Sequence, residues 1–180
     1  MTQASVVIIS GPPGAGKSSV SKRLAEHSAY ERAVHMHTDD FYHFIRKGYI
    51  APWLSESHEQ NTVIIEAFTA SAARLAIGGY EVIVDGIVGP WFLAPWLKMA
   101  QDGFDVRYII LRPVEQTAVS RAVKRGGETL TDAETVRRMW RAFADLGPYE
   151  PHVIDTTTQS IDETALSIRK LLGEGTMRIV

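Results

Sequence analysis

The chain has 180 residues and a formal net charge of −2, which suits one domain over residues 1–180 and excludes an overall basic field for nucleic acid. It contains no cysteine, which excludes disulfides and thiolate metal sites. No stretch approaches the roughly 20 apolar residues of a membrane helix, so we expect a cytoplasmic protein. We also expect it to be a monomer or a homodimer.

Short β-branched runs alternate with helical patterns along the chain. The runs are apolar almost throughout, which is typical of strands covered on both faces. The predicted strands span residues 5–10, 33–38, 80–86, 106–112 and 152–156, and the predicted helices span 17–28, 56–77, 91–101, 114–125, 131–146 and 160–172. Capping boxes, Thr131 with Glu134 and Ser160 with Glu163, open the last two helices. This order predicts a three-layer α/β fold with a doubly wound, five-stranded sheet that is mostly or wholly parallel. Ligands bind such sheets at the carboxyl ends of the strands.

The stretch SGPPGAGKSS, residues 10–19, follows the first predicted strand and precedes a helix. Its spacing fits G-x-x-x-x-G-K-S, the P-loop pattern, although a chance match in a strand-to-helix turn is the alternative. Small residues let backbone N–H groups approach a polyphosphate, Lys17 neutralises phosphate charge, and the Ser18 hydroxyl is a ligand for Mg²⁺. The predicted ATP-binding residues of this loop are Gly11, Pro12, Pro13, Gly14, Ala15, Gly16, Lys17, Ser18 and Ser19.

Further motifs follow the second and third strands, where TDDF and VDG place aspartates at strand ends. Together with GPPGAGKSS, an arginine-bearing stretch and IDTT, they resemble the small P-loop kinases of metabolites and antibiotics. Gluconate kinase, shikimate kinase and chloramphenicol phosphotransferase are examples, and the zeta-toxin kinases are relatives. The resemblance covers nearly the whole chain. It implies a nucleoside-kinase-like P-loop NTPase fold with a short lid, and an ATP- and Mg²⁺-dependent phosphotransferase that acts on a hydroxyl of a small-molecule acceptor.

The resemblance also places an aspartate just after the second strand against the acceptor hydroxyl, and Asp39 holds that position. A carboxylate there orients the hydroxyl proton or helps to hold Mg²⁺. The alternative is that Asp39 or the adjacent Asp40 caps a helix that begins at Phe41. Asp85, which ends the third strand, is expected to hold the metal or the acceptor, with a solvated strand-end carboxylate as the alternative. His35 and His37 point the same way on the second strand.

An arginine-rich stretch over residues 121–138 is similar to the lid of small kinases. Arg121 and Arg125 lie four residues apart on one helical face and are expected to stabilise the transferring phosphoryl group, with Arg137 as a further candidate. Gly126–Gly127 would provide a hinge-like break. The alternative is that these are surface arginines paired with neighbouring acidic residues.

The loop IDTTTQ, after the last predicted strand, resembles the segment that wraps adenine in these kinases. Asp155 and Thr156 are the predicted contacts, and Arg112 is expected to stack on the base. A plain strand-to-helix connection is the alternative.

The acceptor site is expected in residues 41–79, where such kinases build it. Aromatic residues there would form a wall for an apolar or ring-bearing acceptor, although each of them is also a candidate for the core. The predicted acceptor residues are Asp40, Phe41, Arg46, Trp53, Asp85 and Trp91. Two rival functions stay open: a nucleoside monophosphate kinase, which needs cationic side chains in this segment, and a nucleotide-binding regulatory ATPase without a small acceptor.

Overall fold

Five parallel strands form the central sheet, as the alternation of strands and helices predicts. They are β1 (Val6–Ser10), β2 (Ala33–His37), β3 (Glu81–Asp85), β4 (Val106–Leu111) and β5 (Val153–Ile154). Their order across the sheet is β2-β3-β1-β4-β5. Every residue of β1, β3 and β4 is buried, which agrees with continuous apolar runs covered on both faces. The predicted α/β fold with a five-stranded parallel sheet is therefore confirmed.

A computed structural model describes residues 5–125 and 132–180, and seven α-helices lie within these ranges. They are α1 (Lys17–Glu26), α2 (Thr38–His43), α3 (His58–Ile77), α4 (Ala94–Gln101), α5 (Glu115–Arg125), α6 (Ala133–Arg141) and α7 (Ile161–Gly173). Short 3₁₀ helices occupy Ser55–Ser57, Pro90–Phe92 and Gly147–His152. None of the helices in the described residues has the length and apolar character that a membrane span requires.

Two apolar cores lie on opposite faces of the sheet. Alternate residues of β1 belong to different cores, because side chains of a strand point in turn to its two faces. Ile8 belongs to the core under α3 and α4, which contains the buried Phe68 and Trp96. Ile9 belongs to the core under α1 and α7, with Leu24. The helices cover both faces of the sheet, so the loops that follow the strands meet at the carboxyl ends of the strands.

The two predicted capping boxes have different outcomes. Ser160 accepts a hydrogen bond from the Glu163 backbone, and the Glu163 side chain accepts one from the Ser160 backbone, so the box at α7 is confirmed. At α6 the cap is Asp132, whose carboxylate accepts from the Thr135 backbone N–H at 2.8 Å. The prediction of Thr131 as the cap was wrong by one residue, and Thr131 itself lies outside the described residues.

The C-terminal segment, to which the sequence assigned no role, extends the sheet. The Tyr108 N–H donates to the Met177 carbonyl at 2.8 Å, and the Ile179 N–H donates to the Val106 carbonyl at 3.2 Å. β5 pairs only with the last two residues of β4. The tail therefore lies antiparallel to the first half of β4, and Ile179 is buried there.

Candidate active site

The glycine loop between β1 and α1 is held tightly against its neighbours. Gly11 and Gly14 have φ angles of 138° and 78°, in the left-handed region that favours glycine. A Cβ on Gly11 would lie 2.1 Å from the Leu111 carbonyl oxygen, and one on Gly14 would lie 2.0 Å from the Ala118 carbonyl oxygen. Backbone conformation and packing therefore both require glycine. The N-terminus of α1, at Lys17, follows the loop directly, which is the arrangement that binds phosphate groups.

Lys17 is half-buried beside this loop, and its ammonium group donates to the Pro12 carbonyl at 3.0 Å. Burial lowers the pKa of Lys17 to about 8, although the charges of Asp85 and Asp39 act in the opposite direction. A cation that has lost much of its hydration is stabilised by an anion placed beside it. The loop is therefore electrostatically prepared for a negatively charged ligand.

The P-loop serine and the strand-end aspartate, which are both predicted to hold the metal, lie in contact. The Ser18 hydroxyl donates to Asp85 Oδ2 at 2.6 Å. Asp85 ends β3, which is the neighbour of β1, and its side chain is completely buried. The alternative of a solvated strand-end carboxylate is therefore wrong, because Asp85 sits beneath the loop and not at the surface.

Two histidines complete the surroundings of Asp85, a role that the sequence analysis missed. His35 Nε2 lies 2.5 Å from Asp85 Oδ1, and His37 Nδ1 lies 3.0 Å from Asp85 Oδ2. In the register of the sheet, His37 is directly opposite Asp85 on the neighbouring strand. Burial acts to raise the pKa of Asp85, but the hydrogen bonds from His35, His37 and Ser18 outweigh it and hold this pKa well below its usual range.

His37 also bridges to the cleft through its other ring nitrogen. His37 Nε2 lies 3.2 Å from Asp39 Oδ2. The hydrogen bonds to Asp39 and then to Asp85 raise the pKa of His37 to about 10, against the effect of burial. The pKa of Asp39 is lowered overall: burial raises it, but the hydrogen bond and charge of His37 and the charge of Lys17 outweigh burial. Asp39 is therefore an ionised, oriented carboxylate at neutral pH.

Asp39 and Asp40 occupy the first turn of α2, which begins at Thr38 and not at the predicted Phe41. The cap position is His37, and no side chain caps the helix there, so neither aspartate serves as the cap. Both carboxylates are exposed, but Asp39 lines the cleft described below and Asp40 does not. The two adjacent carboxylates thus differ in position, because successive residues of a helix point in different directions.

The predicted lid arginines reach different places. Arg125, the last residue of α5, lines the cleft. Arg121, one turn earlier, donates to the carbonyls of Thr156 and Thr157 at 3.2 Å. From α6, Arg138 lines the cleft, whereas Arg137 faces Glu134 and Glu115. The predicted hinge at Gly126–Gly127 lies outside the described residues.

The predicted adenine-binding loop lies behind the P-loop. Thr156 is buried, with its hydroxyl 3.5 Å from the Ala15 carbonyl. The Asp155 carboxylate accepts from the Thr157 N–H at 2.8 Å. The Arg112 guanidinium makes two hydrogen bonds to Glu150, at 2.7 and 2.9 Å, and binds the Phe143 carbonyl. These contacts hold the loop and Arg112 in place, and their contact with a base stays a prediction.

A cleft of about 620 Å³ connects the P-loop to an aromatic pocket. Lys17, Ser18, His37 and Asp39 lie at its polar end. The aromatic side chains that line the rest of it are Tyr42, Tyr49, Trp53, Phe68, Trp91, Phe92 and Phe143. Of the predicted acceptor residues, Trp53 and Trp91 belong to this cleft. Phe41 instead packs against Phe68 with ring centres 4.9 Å apart, and Asp40, Arg46 and the buried Asp85 do not line the cleft.

The parallel sheet, the glycine loop with its lysine and serine, and the acidic strand end define a P-loop protein with the fold of small-molecule kinases. Within that class, the chain belongs to the AAA domain family, which it matches over residues 6–146. No curated protein matches the sequence.

Several solved structures share the fold. APS kinase of Mycobacterium tuberculosis, in complex with AMPPNP and APS, is 20% identical, with a TM-score of 0.68 over 95% of this chain and 98% of that one. The tunicamycin resistance protein of Deinococcus radiodurans is 19% identical, with a TM-score of 0.66 over 94% of this chain and 96% of that one. A sugar kinase from Janibacter sp. is 15% identical, with a TM-score of 0.64 over 94% and 95%. At these identities the likeness shows the fold.

Proposed function

We propose that this protein is an ATP- and Mg²⁺-dependent kinase that transfers the γ-phosphoryl group of ATP to a hydroxyl of a small molecule. The observation that carries the proposal is the position of Asp39. Its carboxylate lines the same cleft as Lys17 and Ser18, and the aromatic pocket continues from it. One cavity thus offers a phosphate cradle, a candidate base and room for an acceptor. The structural likeness to kinases supports the same chemistry.

The nucleotide would lie along the glycine loop, with its phosphates against the backbone N–H groups and Lys17. Phosphoryl transfer depends mainly on positioning and on positive charge around the moving group. Arg125 and Arg138 line the cleft and supply further positive charge. The loop at Asp155 and Thr156, held by Arg121, would contact the base.

The residues beside the loop fit Mg²⁺, since Ser18 and Asp85 are oxygen ligands and meet at 2.6 Å. Both carboxylate oxygens of Asp85 already accept hydrogen bonds, so Asp85 would hold the ion through water while Ser18 contacts it directly. In residues 5–125 and 132–180, no three His, Asp or Glu side chains converge to hold a metal alone. Phosphate oxygens would complete the site. Bound there, Mg²⁺ would neutralise charge on the β- and γ-phosphates.

Asp39 would act on the acceptor hydroxyl. The acceptor oxygen forms a bond to the γ-phosphorus, the bond from that phosphorus to the bridging oxygen breaks, and the hydroxyl proton passes to Asp39 as ADP leaves. The lowered pKa of Asp39 keeps the carboxylate ionised for this role. The contact with His37 fixes one carboxylate oxygen and leaves the other for the hydroxyl.

The two rival functions receive less support. A nucleoside monophosphate kinase needs cations around the acceptor phosphate, but the candidates in the segment from 41 to 79, which are Arg46, Lys47 and Arg74, do not line the cleft. A regulatory ATPase has no need of a large aromatic pocket that opens beside Asp39. Its usual Asp-Glu pair at a strand end is also missing, because Gly86 follows Asp85.

The proposal is tested by ADP release from Mg-ATP in the presence and absence of a panel of alcohols and phosphorylated acceptors. We expect at least one alcohol to stimulate ADP release. Lys17→Ala should abolish that stimulated release, because the charge at the β- and γ-phosphates is lost. Lys22→Ala is the matched control on the same helix, since Lys22 is exposed and pairs only loosely with Glu26 at 3.8 Å. Slow hydrolysis that no acceptor stimulates would favour the regulatory ATPase instead.

A further inference from the structure

Two half-exposed tryptophans stand where the cleft meets an outer groove. The groove, of about 690 Å³, shares six lining residues with the cleft, which are Pro52, Trp53, Asn61, Trp91, Phe92 and Arg138. The exposed fractions of Trp53 and Trp91 are 47% and 50%. Large aromatic surfaces left open at the mouth of a cavity are typical of ligand-binding sites.

The buried amide of this junction already makes its hydrogen bonds within the protein. The buried Asn61 side chain accepts from the Tyr42 hydroxyl at 3.0 Å and donates to the Pro52 carbonyl and the Ser57 hydroxyl, both at 2.8 Å. Its amide therefore fixes the shape of the wall. Beside the Arg138 guanidinium, the wall offers a ligand mainly apolar and aromatic surface.

The position of Trp91 depends on Gly89. A Cβ on Gly89 would lie 2.3 Å from the Trp91 ring, although the backbone there, with φ of −78°, accepts any residue. The indole also packs edge-on against Phe143, with ring centres 5.5 Å apart. The absence of a side chain at residue 89 thus makes room for this ring, and the contacts with Gly89 and Phe143 hold Trp91 in position in the wall.

We propose that the acceptor is an alcohol that carries an apolar ring, which binds with its ring face against Trp53 and Trp91. Its hydroxyl points towards Asp39, and its far end extends into the outer groove. The assignment of the reacting hydroxyl rests on the proposed kinase function. The assignment of the ring site rests on the aromatic wall, the occupied Asn61 amide and the fit of Trp91 over Gly89.

Matched acceptors test the class. Benzyl β-D-glucoside carries a ring with an apolar face on a sugar, glucose lacks the aromatic ring, and cytidine monophosphate is an anionic acceptor. Binding is followed by quenching of tryptophan fluorescence without nucleotide, and transfer by ADP release from Mg-ATP. We expect benzyl glucoside to bind at least about tenfold more tightly than glucose, because a stacked aromatic pair adds to the burial of apolar area.

Gly89→Ala tests the site without removing any contacting side chain. Because the new methyl group displaces the Trp91 indole, we expect binding of benzyl glucoside to weaken about tenfold while the KM for ATP is unchanged. Gly173→Ala is the control, since a Cβ there meets nothing within 4 Å. If Gly89→Ala does not fold, Trp53→Ala takes its place, with the exposed Tyr30→Ala as its control.

The outcomes separate this inference from the proposed function. If benzyl glucoside binds no better than glucose, or if the variants bind it as the wild type does, the ring site is wrong. Phosphorylation of cytidine monophosphate together with no quenching by benzyl glucoside would overturn the ring site and leave the kinase chemistry standing. Quenching that Gly89→Ala weakens, without ADP release for any acceptor, would support the ring site and overturn the kinase proposal.

Discussion

The two ends of the cleft, which we propose to bind the phosphates of ATP and the acceptor, are formed by different parts of the protein. The phosphate end is shaped mainly by the backbone of a loop so closely packed that a Cβ at Gly11 or Gly14 would collide with a neighbouring carbonyl. The acceptor end consists of side chains such as Trp53, from a loop, and Trp91, from a short 3₁₀ helix, and both are half exposed. A site made from backbone tolerates little variation, whereas a wall of side chains can change with few consequences for the fold.

We expect the largest effect on turnover from Asp39, which lies where the two ends of the cleft meet. Asp39→Asn keeps the shape of the side chain but removes the proton acceptor, so we expect turnover to fall about 10³-fold. The KM for ATP should change little, since the P-loop is untouched. Asp40→Asn is the matched control, because its exposed carboxylate does not line the cleft. Steady-state ADP release measures both variants, and equal turnover for the two would remove Asp39 from the mechanism.

Gly14→Ala tests the closely packed loop at the phosphate end of the cleft. The added Cβ meets the Ala118 carbonyl carbon and oxygen, and the φ of 78° is unfavourable for alanine. We expect nucleotide affinity to fall by about ten- to a hundredfold, which corresponds to about 1–3 kcal/mol of strain and displacement. Isothermal titration with a non-hydrolysable ATP analogue measures the change. Gly173→Ala should bind the analogue as the wild type does, and the same result for Gly14→Ala would show that the loop is not the cradle.

A smaller effect is expected from His37, which links the two ends through Asp85 and Asp39. Its folded-state pKa of about 10 lies above the ordinary value of 6.5, so its charged contacts stabilise the fold fully below about pH 6.5. This contribution is lost as the pH rises through 10. We therefore expect the difference in unfolding free energy between wild type and His37→Gln to shrink from pH 6.5 to 10.

Urea denaturation at several pH values measures this difference. His27→Gln serves as the control, because the His27 side chain is exposed and makes its hydrogen bonds to Arg23, one turn earlier in the chain. A wild-type advantage over His37→Gln that is constant across this range would contradict the charged contacts of His37.

Much of the phosphate end could be predicted from the sequence, because its elements are contiguous. The spacing from Gly11 to Ser18 contains the loop, its lysine and its serine within one short stretch. The buried strands were also recognisable, since their apolar runs are continuous. The partners of Asp85 were not, because His35 and His37 come from a strand far away in sequence, and only the strand order brings them together.

Other residues were predicted correctly as a segment but not as individual positions, because adjacent residues of a helix face different directions. Arg137 and Arg138 are adjacent on α6, and one residue of rotation decides which of them lines the cleft. Phe41 and Tyr42 are separated in the same way on α2: Phe41 packs on the core ring of Phe68, whereas Tyr42 lines the cleft. A sequence pattern identifies an aromatic or basic segment. It does not determine which of two adjacent residues points into the cleft, because that depends on where the helix begins.

The antiparallel tail beside β4 has a practical meaning for handling this protein. It pairs with the amino-terminal half of that strand, at the opposite end of the sheet from the P-loop. Val180 is 93% exposed, so a label or surface anchor attached there would stand in solvent and away from the ligands. Removing residues 177–180, in contrast, would expose the edge of β4 and remove the buried side chain of Ile179. An exposed strand edge promotes edge-to-edge association between molecules.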